Sequence, residues 1–301
     1  FTDNDRVKVA IQDQHTNIIL IEKNGEIIFK KEHDECADCD PYDIFKQVSS
    51  REIFEFSCEV ELDKIRFIGQ AAALNRALSN EGLRENYGLH IGRTLRKQVG
   101  SGLMSDDLLS KIMIETTAAS DARMGGATLP AMSNSGSGNQ GIAATMPVVV
   151  VADYLNVSEE KRLRALFLSH LMAIYIHSKL PKLSALCAVT TASMGSCAGI
   201  AYLLTGKFET VSMGICSMIG DISGIICDGA SNSCAMKVST SVASGYKSVL
   251  MAMDETHVTG NEGIVEHDLD RTIDNLCSIA SKSMHHIDRQ VIEIMVSKPC
   301  P

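Results

Sequence analysis

The chain has 301 residues, a formal net charge of −9, 45% hydrophobic residues and 22% charged residues. A chain of this length can bury roughly three quarters of its unfolded surface, so we expect a substantial core. The composition excludes a disordered, collagen-like or small disulfide-stapled protein, and the acidic balance argues against nucleic acid as a partner. The chain has ten cysteines. Its first residues, Phe1-Thr2-Asp3-Asn4-Asp5, lack the basic and apolar pattern of a signal peptide. These features predict a reducing, cytoplasmic location.

The first part of the chain has the pattern of β-structure. Residues 7–13 alternate apolar and polar side chains, and further apolar runs occupy 16–21 and 27–29. Asn24-Gly25 lies between the last two runs and is a strong signal of a hairpin with a type I′ turn. We therefore predict about three strands, the last two antiparallel, in a β-rich subdomain over 1–41. Three strands need a cover for their apolar face, so this subdomain is expected to be incomplete.

From residue 42 onward the apolar period becomes helical and predicts one large domain over 42–301. The expected helices are 61–80, one beginning near Ser105-Asp106-Asp107, 142–155, 158–179, 184–204, 208–222, 233–253 and 268–296. The broad apolar faces indicate a multi-layer packing of helices. The predicted fold class is therefore α+β, with a short antiparallel β portion at the N-terminus followed by a large all-α domain.

One stretch is uncharged over a length that could cross a membrane. No residue between Lys182 and Lys207 carries a charge. The segment is rich in Ser, Thr, Ala and Gly and has few large aliphatic residues, which favours a helix buried among other helices. A membrane span is the less favoured alternative.

A polar, glycine-rich segment, residues 133–141 (SNSGSGNQG), precedes an apolar helix. Its glycines can expose backbone N–H groups, and a helix N-terminus behind them adds positive potential. The pattern suits a small anion but is not a P-loop, because no Gly-Lys-Ser/Thr follows; a flexible loop between helices is the alternative. The candidate binding residues are Ser133, Asn134, Ser135, Gly136, Ser137 and Asn139.

The cysteines fall into several groups. The spacing of Cys187, Cys227 and Cys234 matches neither a zinc ribbon nor a bacterial ferredoxin, so spacing alone leaves buried apolar packing open for them. Cys36 and Cys39 form a C-x-x-C in an acidic setting that disfavours a thiolate, which favours a surface loop over a metal or disulfide role. The remaining cysteines are expected to pack in the core: Cys58, Cys197, Cys216, Cys277 and Cys300.

Two histidines are candidates for a site. His170 lies on an apolar helix face, where a hydrogen-bonded core histidine is favoured over a catalytic one. His15 lies at a strand start and is placed to reach a site from its end, with a simple turn as the alternative.

Three segments together carry a family resemblance: residues 133–141, 183–187 and 226–238. They are similar to the iron–sulfur L-cysteine desulfidases, which are related to the α part of bacterial iron–sulfur L-serine dehydratases. The similarity extends to residues 15–18 and 22–26 and so covers nearly the whole chain.

The resemblance implies a cofactor and a substrate site. It implies a [4Fe–4S] cluster held by Cys187, Cys227 and Cys234, with one open iron acting as a Lewis acid. Such a cluster is oxygen-labile and can be absent from an aerobic preparation. The 133–139 loop would hold the substrate carboxylate, and no pyridoxal phosphate is required.

The implied activity is a lyase reaction that converts L-cysteine to pyruvate, ammonia and hydrogen sulfide. The alternatives are an L-serine ammonia-lyase with the same mechanism, or a non-catalytic iron–sulfur redox or binding protein. The expected partner is a small amino acid, without nucleic acid or membrane, and homo-oligomerisation stays open.

One family feature does not occur in this chain. Members of the family begin with a further segment that carries a Gly-Cys-Thr-Glu-Pro-like motif, whose cysteine is regarded as the proton-transferring residue. Because that motif is not found in the sequence, we expect an N-terminal part that carries the base to be lacking. The chain alone would then be inactive, or would associate with that part as a separate fragment.

Overall fold

The computed structural model describes residues 5–12, 17–31, 42–181 and 184–299. The chain divides into two compact units, Phe1–Lys46 and Gln47–Pro301. The first contains a three-stranded antiparallel sheet and the second is built from helices, so the predicted α+β class is confirmed.

The sheet consists of strands β1 (Val7–Ile11), β2 (Ile18–Lys23) and β3 (Glu26–Lys30), in the order β1-β2-β3. Both neighbouring pairs are antiparallel. Asn24 and Gly25 have φ values of 54° and 91°, and two successive positive φ angles are what a type I′ turn requires. The hairpin predicted from this dipeptide is therefore present.

The helices of the second unit are α1 (Ser50–Glu59), α2 (Leu62–Ile65), α3 (Gly69–Arg84), α4 (Ile91–Gly100), α5 (Leu108–Met124), α6 (Gly138–Tyr154), α7 (Glu159–Ser178), α8 (Ala188–Thr205), α9 (Phe208–Ile222), α10 (Cys234–Met253), α11 (Leu269–Ser278) and α12 (His285–Ser297). A 3₁₀ turn, Arg66–Ile68, lies between α2 and α3, and a π-helical segment, Ile279–Ser283, lies between α11 and α12.

Side-chain caps explain where several helices begin. Ser49 and Glu52 form a reciprocal capping box at the start of α1. Asp107 accepts a hydrogen bond from a backbone N–H in the first turn of α5, and Ser158 does the same for α7. Both starts agree with the polar residues that predicted them.

Some helix boundaries differ from the sequence expectation. Helix α6 begins at Gly138 rather than at residue 142, because its first turn is polar and apolar periodicity cannot reveal it. The expected single helix over 268–296 is interrupted by the π-helical segment. Helix α4 was not predicted, and its only buried residue is Gly92, so its apolar pattern is weak.

Helix α8 occupies the centre of the helical unit. It packs against α6, α7, α9 and α10, and every residue from 189 to 201 is buried. A Cβ added to Gly199 would lie 2.8 Å from the carbonyl oxygen of Ala165, so the small residue lets α7 approach closely. Among the described residues, α8 is the one helix long and apolar enough to span a membrane, but 78% of it is buried inside the protein. The uncharged stretch thus forms a core helix.

Candidate functional site

A tight turn precedes α6 within the glycine-rich segment. Asn134 and Ser137 exchange backbone hydrogen bonds of 3.1 and 3.0 Å. The central residues, Ser135 and Gly136, have φ values of 47° and 82°, as in a type I′ turn. Ser135 is not glycine, so its left-handed backbone is strained and must be held by its surroundings. We call residues 134–137 the anion turn.

The Asn134 side chain anchors the anion turn to α7. Its Nδ2 atom lies 3.1 Å from Nδ1 of His170 and donates to the carbonyl oxygen of the same residue at 3.2 Å. The Ser135 hydroxyl donates to Asn134 Oδ1 at 2.9 Å. The hydrogen-bonding groups of the Asn134 amide are therefore engaged, which fixes its orientation.

The other side of the His170 ring contacts α6. Its Nε2 atom lies 2.9 Å from Thr145 Oγ1, which also accepts a hydrogen bond from Asn75 and donates to the carbonyl oxygen of Gly141. Because Asn134 donates to Nδ1, the partners assign the proton to Nε2. Burial lowers the pKa of His170 to about 4, so the ring is neutral.

His170 therefore supports the anion turn by fixing the side chain of Asn134. The imidazole is buried, with 6% exposure, and both nitrogens are hydrogen-bonded within the protein. This is the hydrogen-bonded core histidine that the sequence favoured, and it acts on a ligand only through the residues that it holds.

The N-terminus of α6 follows the anion turn directly. Ser137 is the N-cap residue with an extended backbone, and its side chain makes no capping hydrogen bond. The Asn139 side chain accepts a hydrogen bond from Ser120 of α5 at 3.1 Å. Backbone N–H groups and the helix dipole at this end favour a bound anion, so the arrangement suits a carboxylate.

Two of the three candidate cysteine ligands are brought together by a short backbone pairing. Leu186 and Ile226 form an isolated antiparallel bridge. The Cys187 N–H donates to the carbonyl oxygen of Ile225 at 2.9 Å, and the Cys227 N–H donates to that of Ala185 at 2.7 Å. Cys187 and Cys227, which are distant in the chain, are therefore neighbours.

Cys234 is the first residue of α10 and joins the same group. Its Sγ donates to the Gly229 carbonyl oxygen and accepts from the Ser231 N–H, both at 3.5 Å. The pKa of Cys187 is raised to about 11, mainly by burial and in smaller part by interaction with Cys227 and Cys234, while the Val189 N–H and the Lys237 ammonium act in the opposite direction. The three thiols and this lysine are thus close enough to interact electrostatically.

The donor set fits iron–sulfur chemistry better than a single hard cation. Within the described ranges, no group of three or more His, Cys, Asp or Glu side chains is arranged to hold a metal ion, and this finding includes the three cysteines. The three cysteines offer only soft sulfur donors, which are the usual ligands of iron–sulfur clusters. Cys187 is the N-cap of α8 and Cys234 opens α10, so the helix N-terminus at Cys187 acts against the burial that raises the pKa of its thiol.

The other predicted residues have different positions. Cys197, Cys216 and Cys277 are buried in helices and Cys58 is half-buried, in agreement with the expected core packing. His15, Cys36, Cys39 and Cys300 lie outside the described residues.

Arg123, which no sequence motif indicated, lies beside the candidate anion site. It lies near the C-terminal end of α5, and a Cβ built on Gly138 would be 3.0 Å from its guanidinium carbon Cζ. Burial lowers the pKa of Arg123, and the charge of Cys234 raises it. The guanidinium therefore lies beside the start of α6 and within electrostatic range of a candidate ligand. A single arginine at a helix end belongs to no motif, so it could not be predicted from the sequence.

Asp121 lies two residues before Arg123 on α5, and its side chain contacts the start of α4. Its Oδ2 atom accepts a hydrogen bond of 2.9 Å from the Gly92 N–H, while Oδ1 has no partner among the described residues. Burial raises the pKa of Asp121 to about 6, and hydrogen bonds from the N–H groups of Gly92 and Ile91 oppose this effect. The carboxyl group thus holds the start of α4 in place.

The chain belongs to the serine dehydratase alpha-chain family, which matches residues 23–293. It is 72% identical over 302 residues to a UPF0597 protein of Actinobacillus pleuropneumoniae serotype 3, in an alignment that covers 99% of this chain and 69% of the relative. A UPF0597 protein of Dichelobacter nodosus is 64% identical, with 97% of this chain and 67% of the relative covered. The UPF0597 protein YhaM of Escherichia coli O1:K1 is 60% identical, with 96% and 67% covered. No solved structure matches.

Membership confirms the family resemblance at the level of the serine dehydratase alpha chain. That family is associated with lyase activity and is generally dependent on an iron–sulfur cofactor.

Proposed function

We propose that the protein is an iron–sulfur L-cysteine desulfidase, a lyase that converts L-cysteine and water to pyruvate, ammonia and hydrogen sulfide. The observation that carries this proposal is the Leu186–Ile226 bridge, which makes Cys187 and Cys227 neighbours in electrostatic contact with Cys234. Membership of the serine dehydratase alpha-chain family supports the lyase class.

Cys187, Cys227 and Cys234 would hold the cluster. When bound by three protein thiolates, a [4Fe–4S] cluster keeps one iron open and supplies a Lewis acid for the group that leaves the substrate β-carbon. Lys237 balances part of the negative charge that the thiolates bring. Its ammonium pairs with Asp228 and donates to the carbonyl oxygen of Ile226 at 2.8 Å, so it also braces the loop that carries Cys227.

The anion turn would hold the substrate carboxylate. The backbone N–H groups at the start of α6 and the hydroxyl of Ser137 are the donors available there, since the Ser135 hydroxyl already donates to Asn134 Oδ1. The His170 hydrogen bonds keep this turn rigid, so little ordering is needed when the substrate binds. With the carboxylate fixed, loss of the α-proton and of the β-substituent gives aminoacrylate, whose imine tautomer is hydrolysed to pyruvate and ammonia.

L-Serine is the second candidate substrate, because it has the same carboxylate and loses water instead of hydrogen sulfide. A non-catalytic iron–sulfur protein would have no use for a rigid carboxylate site. We also propose a reducing compartment, the cytoplasm, because the seven cysteines within the described ranges are all free thiols.

Anaerobic reconstitution of the full-length polypeptide tests the proposal. We expect release of sulfide and ammonia from L-cysteine, and loss of the cluster absorbance in Cys187→Ala, Cys227→Ala and Cys234→Ala. Cys58→Ala is the matched control, since Cys58 is a half-buried free thiol on α1, and it should retain the cluster.

Each part of the proposal can fail separately. Cluster absorbance that survives in all three ligand variants would show that the ligand assignment is wrong. A cluster-loaded protein that releases neither sulfide nor ammonia is no lyase for these substrates. A higher kcat/KM for L-serine than for L-cysteine would favour the dehydratase alternative.

A further inference from the structure

We propose that Arg123 binds the substrate carboxylate directly and supplies the positive charge that the anion turn itself lacks. This inference rests on the proposed function, because it names a further residue of the same substrate site. The donors at the turn are backbone amides and hydroxyls, which carry no full charge. A guanidinium beside them would add charge-assisted, bidentate hydrogen bonds to a carboxylate.

The first observation is the position of the side chain. Arg123 projects from α5 to the first residue of α6, where Gly138 has no Cβ to occupy the space. A Cβ there would lie 2.7 Å from Arg123 Cδ and 3.0 Å from Cζ. Only glycine at this position lets the guanidinium lie against the helix N-terminus, at the place where a bound anion is favoured.

The second observation is the missing counter-ion. Arg123 is partly buried, yet it makes no ion pair with any carboxylate in the described part of the chain, and its one hydrogen bond runs from Nη1 to Met124 Sδ at 3.0 Å. Three other partly buried arginines have carboxylate partners: Arg76 pairs with Glu115 and Asp153, Arg162 with Asp153 and Arg164 with Glu160. Arg93, which also has no ion pair, donates instead to the side-chain oxygen of Asn86. A guanidinium removed from water without a partner is unfavourable, so an external anion is the expected partner.

The third observation is the relation to the cysteines. The charge of Cys234 acts on Arg123, so the guanidinium is near both the anion turn and the candidate cluster ligands. Lys237, the other cation near those ligands, is already engaged with Asp228. An α-amino acid has a carboxylate at one end and a leaving group at the other. Arg123 is thus beside the start of α6 and within electrostatic range of Cys234, as a residue that binds the carboxylate of such a molecule in the proposed site needs to be.

Two small thiols separate this role from a structural one. 3-Mercaptopropionate has a thiol and a carboxylate, whereas cysteamine has a thiol and no carboxylate. Binding of each is measured by anaerobic titration calorimetry on the cluster-loaded, full-length protein. We expect Arg123→Met to weaken binding of 3-mercaptopropionate roughly ten- to hundredfold, and to leave binding of cysteamine unchanged. Arg123→Lys keeps the charge but not the fork geometry and should be intermediate.

Arg271→Met is the matched control, because Arg271 is exposed on α11, and it should bind both thiols like the wild type. Arg123→Lys replaces Arg123→Met in the comparison if the methionine variant does not fold. The inference is overturned if the folded Arg123 variant binds 3-mercaptopropionate like the wild type. It is also overturned if the variant loses affinity for 3-mercaptopropionate and for cysteamine by the same factor. Arg123-dependent binding without release of sulfide or ammonia would leave this inference standing and remove the lyase proposal.

Discussion

The Asn134 side-chain amide contacts His170 twice, at 3.1 Å to the ring Nδ1 and at 3.2 Å to the backbone carbonyl oxygen. This pairing joins the anion turn to α7 through a neutral, buried imidazole. The position of the proposed carboxylate site therefore depends on a histidine that does not contact the substrate.

Protonation of His170 should destabilise the fold. Burial lowers the pKa of His170 from 6.5 to about 4, so between these values the unfolded chain binds a proton that the folded chain does not. The stabilisation is complete above about pH 6.5 and is lost as the pH falls toward 4, by about 3 kcal/mol in total. The measurement is the free energy of unfolding of the wild type minus that of His170→Gln. A difference that stays constant from pH 7 to pH 4 would contradict this.

The contribution of Asp121 to stability should depend on pH in the opposite sense to that of His170. Burial raises its pKa from 3.8 to about 6, so its contribution is complete below pH 3.8 and is lost as the pH rises through 6. Asp121→Asn keeps an acceptor for the Gly92 N–H and removes the charge. Relative to the wild type, this variant should gain up to about 3 kcal/mol between pH 4 and pH 7.

Asp106→Asn is the control for the Asp121 measurement, because Asp106 has an exposed side chain just before α5, the helix that carries Asp121. It should show no such gain in urea denaturation at the two pH values. If Asp121→Asn changes the free energy of unfolding by the same amount at pH 4 and pH 7, then the pKa of Asp121 is the same in the folded and the unfolded chain.

Removal of the Ser135 hydroxyl should weaken substrate binding. Ser135→Ala keeps the strain at φ 47° but loses the hydroxyl that donates to Asn134 Oδ1 and keeps the turn in shape for the carboxylate. We expect KM to rise roughly fivefold with kcat little changed, as for the loss of one hydrogen bond of about 1 kcal/mol. Ser101→Ala, an exposed serine at the end of α4, serves as the control. An unchanged KM in Ser135→Ala would count against carboxylate binding at the turn.

A methyl group at Gly138 should displace Arg123. The atoms that a Cβ would meet belong to the flexible guanidinium end of Arg123 rather than to backbone, so Gly138→Ala should fold normally and bind 3-mercaptopropionate more weakly. In an Arg123→Met background the same change should have little further effect, which is the test of coupling in a double-mutant cycle. Gly100→Ala, which meets no atom within 4 Å, is the matched control. Additive effects of the two changes would show that Gly138 acts independently of Arg123.

Local signals in the sequence predicted local structure well. Asn24-Gly25 predicted the hairpin because two adjacent residues determine the turn, and Ser158 predicted a helix start because a cap acts within one turn. The start of α6 was missed because its first turn is polar. The grouping of Cys187 with Cys227 depends on a pairing between distant segments, so only the family resemblance indicated it.

The same dependence on contacts between distant segments explains why Arg123 was not predicted from the sequence. Its significance comes from the missing Cβ at Gly138 and from the lack of a carboxylate partner, and both are properties of the packed helices. A charge without a partner is visible only when every neighbour of that charge is known.

The Leu186–Ile226 bridge also bears on how the protein matures. The bridge joins the segment before α8 to the segment after α9, so the two thiols meet only after these helices have packed. Zinc fingers follow the opposite order, since their metal drives the folding of the chain. If these cysteines hold the proposed cluster, we therefore expect the helices to pack before iron and sulfide are bound.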